Sequence, residues 1–396
     1  MIIYTGETLK KEIEESQSLK YKKRWIYKNL KEYCTESDTK RVFCLYGLRW
    51  TGKTTMMLQV IEELKDYEHT LWIQCEKTDT NLDIKRAVRA RKEGLRYVFL
   101  SEATYVSGFH SNCEYLADEL SAGGVKVVIS GTDSLGFVFA SRDAILDRVD
   151  FLHTTYISFA EYNYLLGKEL DEYIRFGGTL TDCLENSSVP ENMAGLSEYI
   201  NVAVVENIVN SIECVEEERR YGALVDILES KDLPSCIRKV IELYNRSFVR
   251  TVMDRVLSFH TPENLAELSD KHEIDIFPME LGTKKMTELI RKELGLKNRP
   301  DTEITEDAVE KIKEYLRKMD VIYPVENINT ETEEILFIQP WMRYGLAAQM
   351  IRDILNSQTF MQYSTADRER LQTMAEHEIL ERMLEDINNI SPKMSK

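Results

Sequence analysis

Short apolar runs alternate with amphipathic stretches through the first 165 residues. Arg41 to Tyr46, Thr70 to Cys75, Arg96 to Leu100, Val125 to Ser130 and Phe151 to Ile157 read as strands. Lys53 to Tyr67, Leu82 to Glu93 and Cys113 to Ala122 carry helical spacing between them. Strands that alternate with helices predict an α/β fold, a parallel sheet with helices on both faces. The strand cores are continuous apolar runs, as strands buried on both sides require. Upstream, Lys20 to Tyr33 reads as a basic, aromatic-rich helix. The favoured role for it is packing of Trp25, Tyr27 and Leu30 against the domain. Contact with a nucleotide or a partner is the alternative.

After Ser158 the strand signal stops. Ser158 to about Phe259 is helical in pattern, with a polar break at Asn186 to Asn192, and suggests a helical lid. Met286 to Leu294 and Glu306 to Met319 are then amphipathic. Val321 to Val325 and Glu334 to Ile338 read as short strands around the polar turn Asn327 to Thr332. Helices followed by a two-stranded hairpin suggest a winged helix. From Gln349 the pattern is helical and charged. The expected organisation is an N-terminal helical segment (1–40), an α/β core (41–165), a helical lid (166–260), a winged-helix domain (261–348) and a helical tail (349–396).

Composition narrows the classes. The chain has 396 residues, 43% hydrophobic and 30% charged, enough for two or three buried cores. Its net charge of -17 disfavours nucleic acid or an anionic membrane as the main partner, though DNA stays possible through a local basic patch. Lys85 to Arg96 holds six basic residues in twelve, which reads first as a solvated helix face and second as a phosphate-tracking patch. The seven cysteines include no CxxC pair and fit buried free thiols in a reducing compartment. The scattered histidines show no metal spacing. The polar N-terminus is no signal peptide, and no apolar run is long enough to span a membrane, so a cytoplasmic protein is expected.

The chemistry concentrates between the first strand and its helix. Gly47-Leu48-Arg49-Trp50-Thr51-Gly52-Lys53-Thr54 fits GxxxxGK[ST], and Thr55 follows it. Amides of such a loop cradle a β-phosphate, and the next helix adds its positive N-terminus. Lys53, read as a solvent-reachable loop charge, would reach the β- and γ-phosphates, and the Thr54 hydroxyl would ligate Mg²⁺. Tyr97-Val98-Phe99-Leu100-Ser101-Glu102 ends a neighbouring strand. Glu102 is the candidate to polarise water. An aspartate is usual at the place of Ser101, whose hydroxyl can hold magnesium only weakly, through water. Val127-Val128-Ile129-Ser130-Gly131-Thr132-Asp133 ends a further strand. A hydroxyl there, Ser130 or Thr132, would sense the γ-phosphate, while Thr132 or Asp133 could equally be a helix cap.

These stretches resemble AAA+-type prokaryotic P-loop ATPases, in which a nucleotide-binding core is followed by a helical lid and a winged helix. Leu146-Asp147-Arg148 and Ser158-Phe159-Ala160-Glu161-Tyr162 share the resemblance, which runs from about residue 20 to 350. It implies ATP and Mg²⁺ as ligands and a protein partner or self-oligomer. It also makes Arg148 a candidate arginine finger, with a salt bridge to Asp147 or Asp150 as the plainer role. Many members continue into a restriction-endonuclease-like domain whose first helix resembles Arg382-Met383-Leu384-Glu385-Asp386-Ile387; the sequence given lacks such a domain, so the possible nuclease activity of the family is not carried over. The expected function is an ATPase that drives or gates a conformational change. The alternative is a nucleotide-gated adaptor with little hydrolysis that presents its winged helix to protein or DNA. Arg291, Lys292, Lys297 and Arg299 are the basic residues available for the latter.

Overall fold

The apolar runs become the strands of one six-stranded sheet in the computed structural model. It describes residues 1–36, 38–91, 93–106, 114–132, 148–180, 193–209, 233–258, 289–290, 292–293, 305–327 and 332–390. Asp133, Asp147, Arg291, Lys297, Arg299 and the break Asn186 to Asn192 lie outside the described residues.

The strands are β1 (Ile2–Tyr4), β2 (Val42–Tyr46), β3 (Thr70–Gln74), β4 (Tyr97–Ser101), β5 (Lys126–Gly131) and β6 (Val149–His153), in the order β1-β3-β4-β5-β2-β6. All pairs are parallel except β1 with β3. Strand β1 falls in the segment expected to be helical. Its three residues are too few to show a period. Helix α1 (Gly6–Glu15) follows it, and α2 begins only at Tyr27 (Tyr27–Thr35). Residues 21–26 therefore run outside any helix. Tyr27 and Leu30 are buried as expected, but Trp25 is 52% exposed.

Alternate residues of each strand feed two helical layers. Phe43, Leu45, Phe99 and Val128 pack with Met56, Met57 and Val60 of α3 (Lys53–Leu64). Val42, Cys44, Val98, Leu100, Val127 and Ile129 pack with Ile84 and Val88 of α4 (Asn81–Arg89) and with the π-helical turn Leu116–Ser121. Cys34, Cys44, Cys75 and Cys236 are buried free thiols.

Beyond the sheet come α5 (Phe159–Leu166), α6 (Leu170–Phe176), α7 (Met193–Ile200), α8 (Leu233–Leu243), α9 (Arg246–Ser258) and α10 (Glu306–Lys318). The antiparallel hairpin β7 (Ile322–Asn327) and β8 (Thr332–Phe337) leads into α11 (Pro340–Leu355) and α12 (Thr365–Ile390). Packing here crosses the boundaries expected near residues 260 and 348. One core joins α7, α8, α10, the hairpin and the start of α11, through Tyr199, Ile237, Leu316, Phe337 and Trp341. Another joins α9, the rest of α11 and α12, through Val252, Met253, Ile351, Leu371 and Ile379. The C-terminal stretch is thus docked by its own apolar face and by Arg255, which pairs with Glu378 and Glu385. Among the described residues no helix is long and apolar enough to cross a membrane.

Candidate nucleotide site

In a parallel sheet every strand delivers its C-terminal residue to the same edge, and the functional candidates collect there. Strand β2 ends at Tyr46, and the loop Gly47 to Gly52 turns the chain into α3. Gly47 sits at φ 140°, where an added Cβ would lie 2.6 Å from Thr155 Oγ1 and 2.7 Å from Thr154 Oγ1. Gly52 sits at φ 84° and precedes the helix, whose first-turn amides have no carbonyl a turn behind them. Those amides and the helix dipole make the edge anion-binding.

A cavity of about 260 Å³ opens at this edge. Its walls include Arg49, Trp50, Thr51, Gly52, Lys53, Thr54, Thr55, Glu102 and Thr132. Three separate strand ends therefore converge, as the motifs require. Lys53 departs from expectation. It is 6% exposed rather than solvent-reachable. Its Nζ donates to the carbonyls of Gly47 (2.7 Å) and Leu48 (2.8 Å). Burial pushes its pKa down to about 8, with Arg49 and Arg24 adding to the push and Glu102 opposing it.

Glu102 lines the cavity at φ 56°, a left-handed conformation that non-glycine residues seldom adopt. The Thr132 hydroxyl donates to its carboxylate at 3.1–3.2 Å and the Thr132 amide at 3.3 Å. Ser101 shares strand parity with Phe99, so it points to the α3 side, and it is buried. That is the side from which Thr54 enters the cavity.

Ser130 and Thr132 also share a face, but only Thr132 reaches the cavity wall. Ser130 lies one residue pair deeper, opposite Leu45, and its Oγ is buried with no partner among the described residues. Of these two hydroxyl residues, Thr132 lines the cavity and Ser130 does not.

Arg148 is likewise displaced from this chain's own site. Val149 pairs with Val42, so Arg148 lies at the opposite end of the sheet, roughly 20 Å of strand away from Gly47. There it pairs with Asp118 at 2.9 Å. Asp150 pairs with Arg41 instead.

The structure adds residues that sequence patterns do not announce. Arg24 uses all five of its N–H donors. Nε and Nη2 grip the two oxygens of Glu161 at 3.0 Å each. Nη1 donates to Thr51 O (2.9 Å) and Thr154 O (2.6 Å), and Nη2 to Tyr156 O (2.9 Å). Glu161 also accepts from the Trp25 amide at 2.9 Å. This explains the glutamate of the Ser158 to Tyr162 block: it anchors an arginine that fastens the loop. Thr154 and Thr155 brace the loop from β6. Thr155 Oγ1 accepts from the Leu48 amide, and Thr154 Oγ1 lies 2.8 Å from Thr51 Oγ1.

The C-terminal helices hold the loop from the other side. Leu48 belongs to the core of α7, α8 and α10. Trp50, at φ 61°, packs its ring 4.9 Å from Tyr199, and its carbonyl accepts from the Leu180 amide. The Tyr199 hydroxyl lies between Arg49 O (3.3 Å) and Gln339 Oε1 (3.0 Å).

Residues 39–163 match the profile of a family described as the AAA domain. Curated protein sequences give no match. Solved structures that align include Aeropyrum pernix Orc1 in complex with DNA, at 14% identity and TM-score 0.30, over 82% of this chain and 93% of that one. Cdc6p from Pyrobaculum aerophilum aligns at 14% and 0.29, over 89% and 97%. The S. cerevisiae Hsp104–ADP complex aligns at 14% and 0.31, over 92% and 50%. These three likenesses are distant, and the site geometry stands without them.

Proposed function

We propose that this chain, whose residues 39–163 match the AAA domain, binds Mg·ATP at the Gly47–Thr55 loop and hydrolyses it slowly to gate a conformational change. One observation carries this reading: Lys53, Thr54, Glu102 and Thr132, drawn from three strand ends, line one cavity. On binding, Lys53 exchanges the carbonyls of Gly47 and Leu48 for β- and γ-phosphate oxygens, and the loop amides fix the phosphate chain. Thr54 would hold Mg²⁺, with Ser101 a weak second contact through water. When bound, the ion neutralises charge on the β- and γ-oxygens. Glu102, released by one of its Thr132 contacts, accepts a hydrogen bond from water and aims it at the γ-phosphate. Thr132 then donates to that phosphate. Arg148 acts in trans, on the site of a second copy.

A specific observation favours a second reading, a nucleotide-gated adaptor. No carboxylate stands at Ser101, and Glu102 is tied to Thr132. Both slow hydrolysis. In either case the partner is a protein or another copy in preference to DNA. The net charge of -17 sets the chain as a whole against a phosphate backbone.

Calorimetry with Lys53→Ala tests the site: ATP affinity should vanish while the far-UV circular dichroism spectrum stays that of the wild type. Wild-type affinity in the variant would refute the P-loop assignment. Turnover of labelled ATP by wild type and Glu102→Gln separates the readings. A rate abolished by the substitution supports the ATPase. A rate at background in both supports the adaptor.

A further inference from the structure

Three large aromatic side chains stand in solvent on neighbouring segments: Trp25 at 52% exposure, Tyr156 at 65% and Tyr164 at 43%. A tryptophan this exposed is uncommon, because burial of so large a side chain is strongly favourable. The Trp25 and Tyr164 rings lie 6.3 Å apart. All three residues are mounted on one buried ion pair. Arg24 Nη2 donates to Tyr156 O, Glu161 accepts from the Trp25 amide, and Tyr164 follows Glu161 by three residues on α5. The backbone beneath the rings is thus fixed before anything docks. Rigid aromatic side chains on a fixed backbone lose little entropy when they are covered.

Charge around these rings runs against that of the chain. From Leu19 to Lys31 there are six basic residues and no acidic one, in a chain of net charge -17. Arg24 is spent on Glu161, and Lys23 and Lys31 pair with Glu63. The Lys22 ammonium donates to Tyr164 O at 2.8 Å and lies 5.1 Å from the centre of the Tyr164 ring. Lys20 and Lys28 are exposed and enter no ion pair among the described residues. Aromatic surface and unneutralised ammonium groups therefore share one face.

We infer that this face docks a short acidic segment of a protein partner, one that carries an apolar side chain among its carboxylates. Exposed tryptophan and tyrosine supply the rigid contact area that dominates protein interfaces. Lys20, Lys22 and Lys28 steer and orient the carboxylates. The small number of free ammonium groups selects a peptide over a nucleic acid. A few carboxylates match them, whereas a polynucleotide repeats its phosphate at every step and carries the surplus onto the acidic remainder of the chain. Trp25, Tyr156, Tyr164, Lys20 and Lys28 lie outside the cavity lining, so docking does not require a bound nucleotide.

The test pans random twelve-residue peptides displayed on phage against the immobilised full chain, then titrates resynthesised fluorescent peptides by anisotropy. Enriched peptides should be acidic, contain a large apolar residue and bind more weakly as salt rises. Trp25→Ala should weaken them roughly ten-fold or more. The double variant Lys20→Glu with Lys28→Glu should do the same and decides alone should Trp25→Ala unfold, as circular dichroism would show. No enrichment over a blank support, enrichment of neutral or basic peptides, or acidic peptides that bind both variants as they bind wild type would each overturn the proposal. Fluorescent oligothymidylate and sedimentation of the chain alone test the other occupants. If either shows binding or self-association that the same variants abolish, the face belongs to single-stranded nucleic acid or to a second copy, and the peptide assignment is wrong.

Discussion

Arg24 and Glu161 form an ion pair that is buried at both ends, and its loss has a calculable asymmetry. Both are almost fully buried, at 3% and 5% side-chain exposure. Removing one partner of a buried ion pair costs about 3–5 kcal/mol, because the other charge stays behind without its counterpart. The two halves are not equally stranded. Arg24→Met leaves the Glu161 carboxylate with the Trp25 amide as its remaining donor from this network, and also leaves the Thr51, Thr154 and Tyr156 carbonyls without their guanidinium. This substitution should reach the upper part of that range. Glu161→Gln keeps an oxygen acceptor at the same place. Arg24 still holds its three carbonyls, so the cost should be nearer about 1–3 kcal/mol.

The assay is urea unfolding of wild type, Arg24→Met, Glu161→Gln, Glu161→Leu and the double variant Arg24→Met with Glu161→Leu. The double variant should lose less than the sum of the Arg24→Met and Glu161→Leu losses, since it strands no charge. Nucleotide affinity should fall in Arg24→Met, because Thr51 O and Thr154 O lose the group that sets the loop. If Arg24→Met stays within about 1 kcal/mol of wild type, or if Glu161→Gln costs more than Arg24→Met, the clamp as described is wrong.

Other consequences follow from the same geometry. Burial favours the neutral Lys53 amine in the free chain, whereas phosphates favour the ammonium. ATP affinity should therefore be full below pH 8 and fall about ten-fold per unit above it; calorimetry from pH 7 to 9 checks this, Lys53→Arg should flatten the profile, and a flat wild-type profile refutes it. Arg148→Ala should leave ATP affinity and stability nearly unchanged, because its pair with Asp118 is exposed. Any fall in turnover should appear only at concentrations where copies associate, and a loss in isolated chains would contradict its position. Ser101→Asp should lower the magnesium concentration needed and raise the ATPase rate; a variant that is no faster and needs as much magnesium disproves the weakened-site idea. Duplex DNA should bind weakly with little salt dependence, and submicromolar binding at physiological salt that falls steeply with added salt would overturn the charge argument.

What the sequence showed in advance was whatever is dictated locally. The phosphate-binding loop has a fixed spacing because backbone amides, a lysine and a hydroxyl must meet one phosphate chain, and Gly47 to Thr54 sits where it should. The core strands of the parallel sheet were legible because strands buried on both faces leave unbroken apolar runs. Arg24 was not. It stands in a run of basic residues, and its partner is 137 positions away. The choice between Ser130 and Thr132 was open because both share a face; only the depth of the strand edge separates them. The place of Arg148 was not legible because a motif position says nothing about which end of a strand it occupies. The register of β6 against β2 decides that. Strand β1 and the irregular path of residues 21–26 escaped because neither is long enough to show a period.

Two residues of the site contradict local preference, and the way each is held separates two tasks. Trp50 and Glu102 both take left-handed backbone, at a cost of about 1–2 kcal/mol each for residues other than glycine. Neither would keep it alone. Glu102 is retained from within the sheet, through the hydroxyl and amide of Thr132 at the end of the neighbouring strand. Trp50 is retained from outside it, by the Leu180 amide and the Tyr199 ring of the C-terminal helices. The carboxylate proposed to orient water thus answers to what happens beside β5. The loop that cradles phosphate answers to the packing of α7 and α11. A nucleotide that draws Thr132 towards its γ-phosphate frees Glu102 without touching the helices. One that reshapes the loop must work against the Trp50–Tyr199 contact and so reaches Gln339 and Trp341 at the start of α11. On the proposed function, turnover and mechanical output should therefore be separable by mutation in this fold.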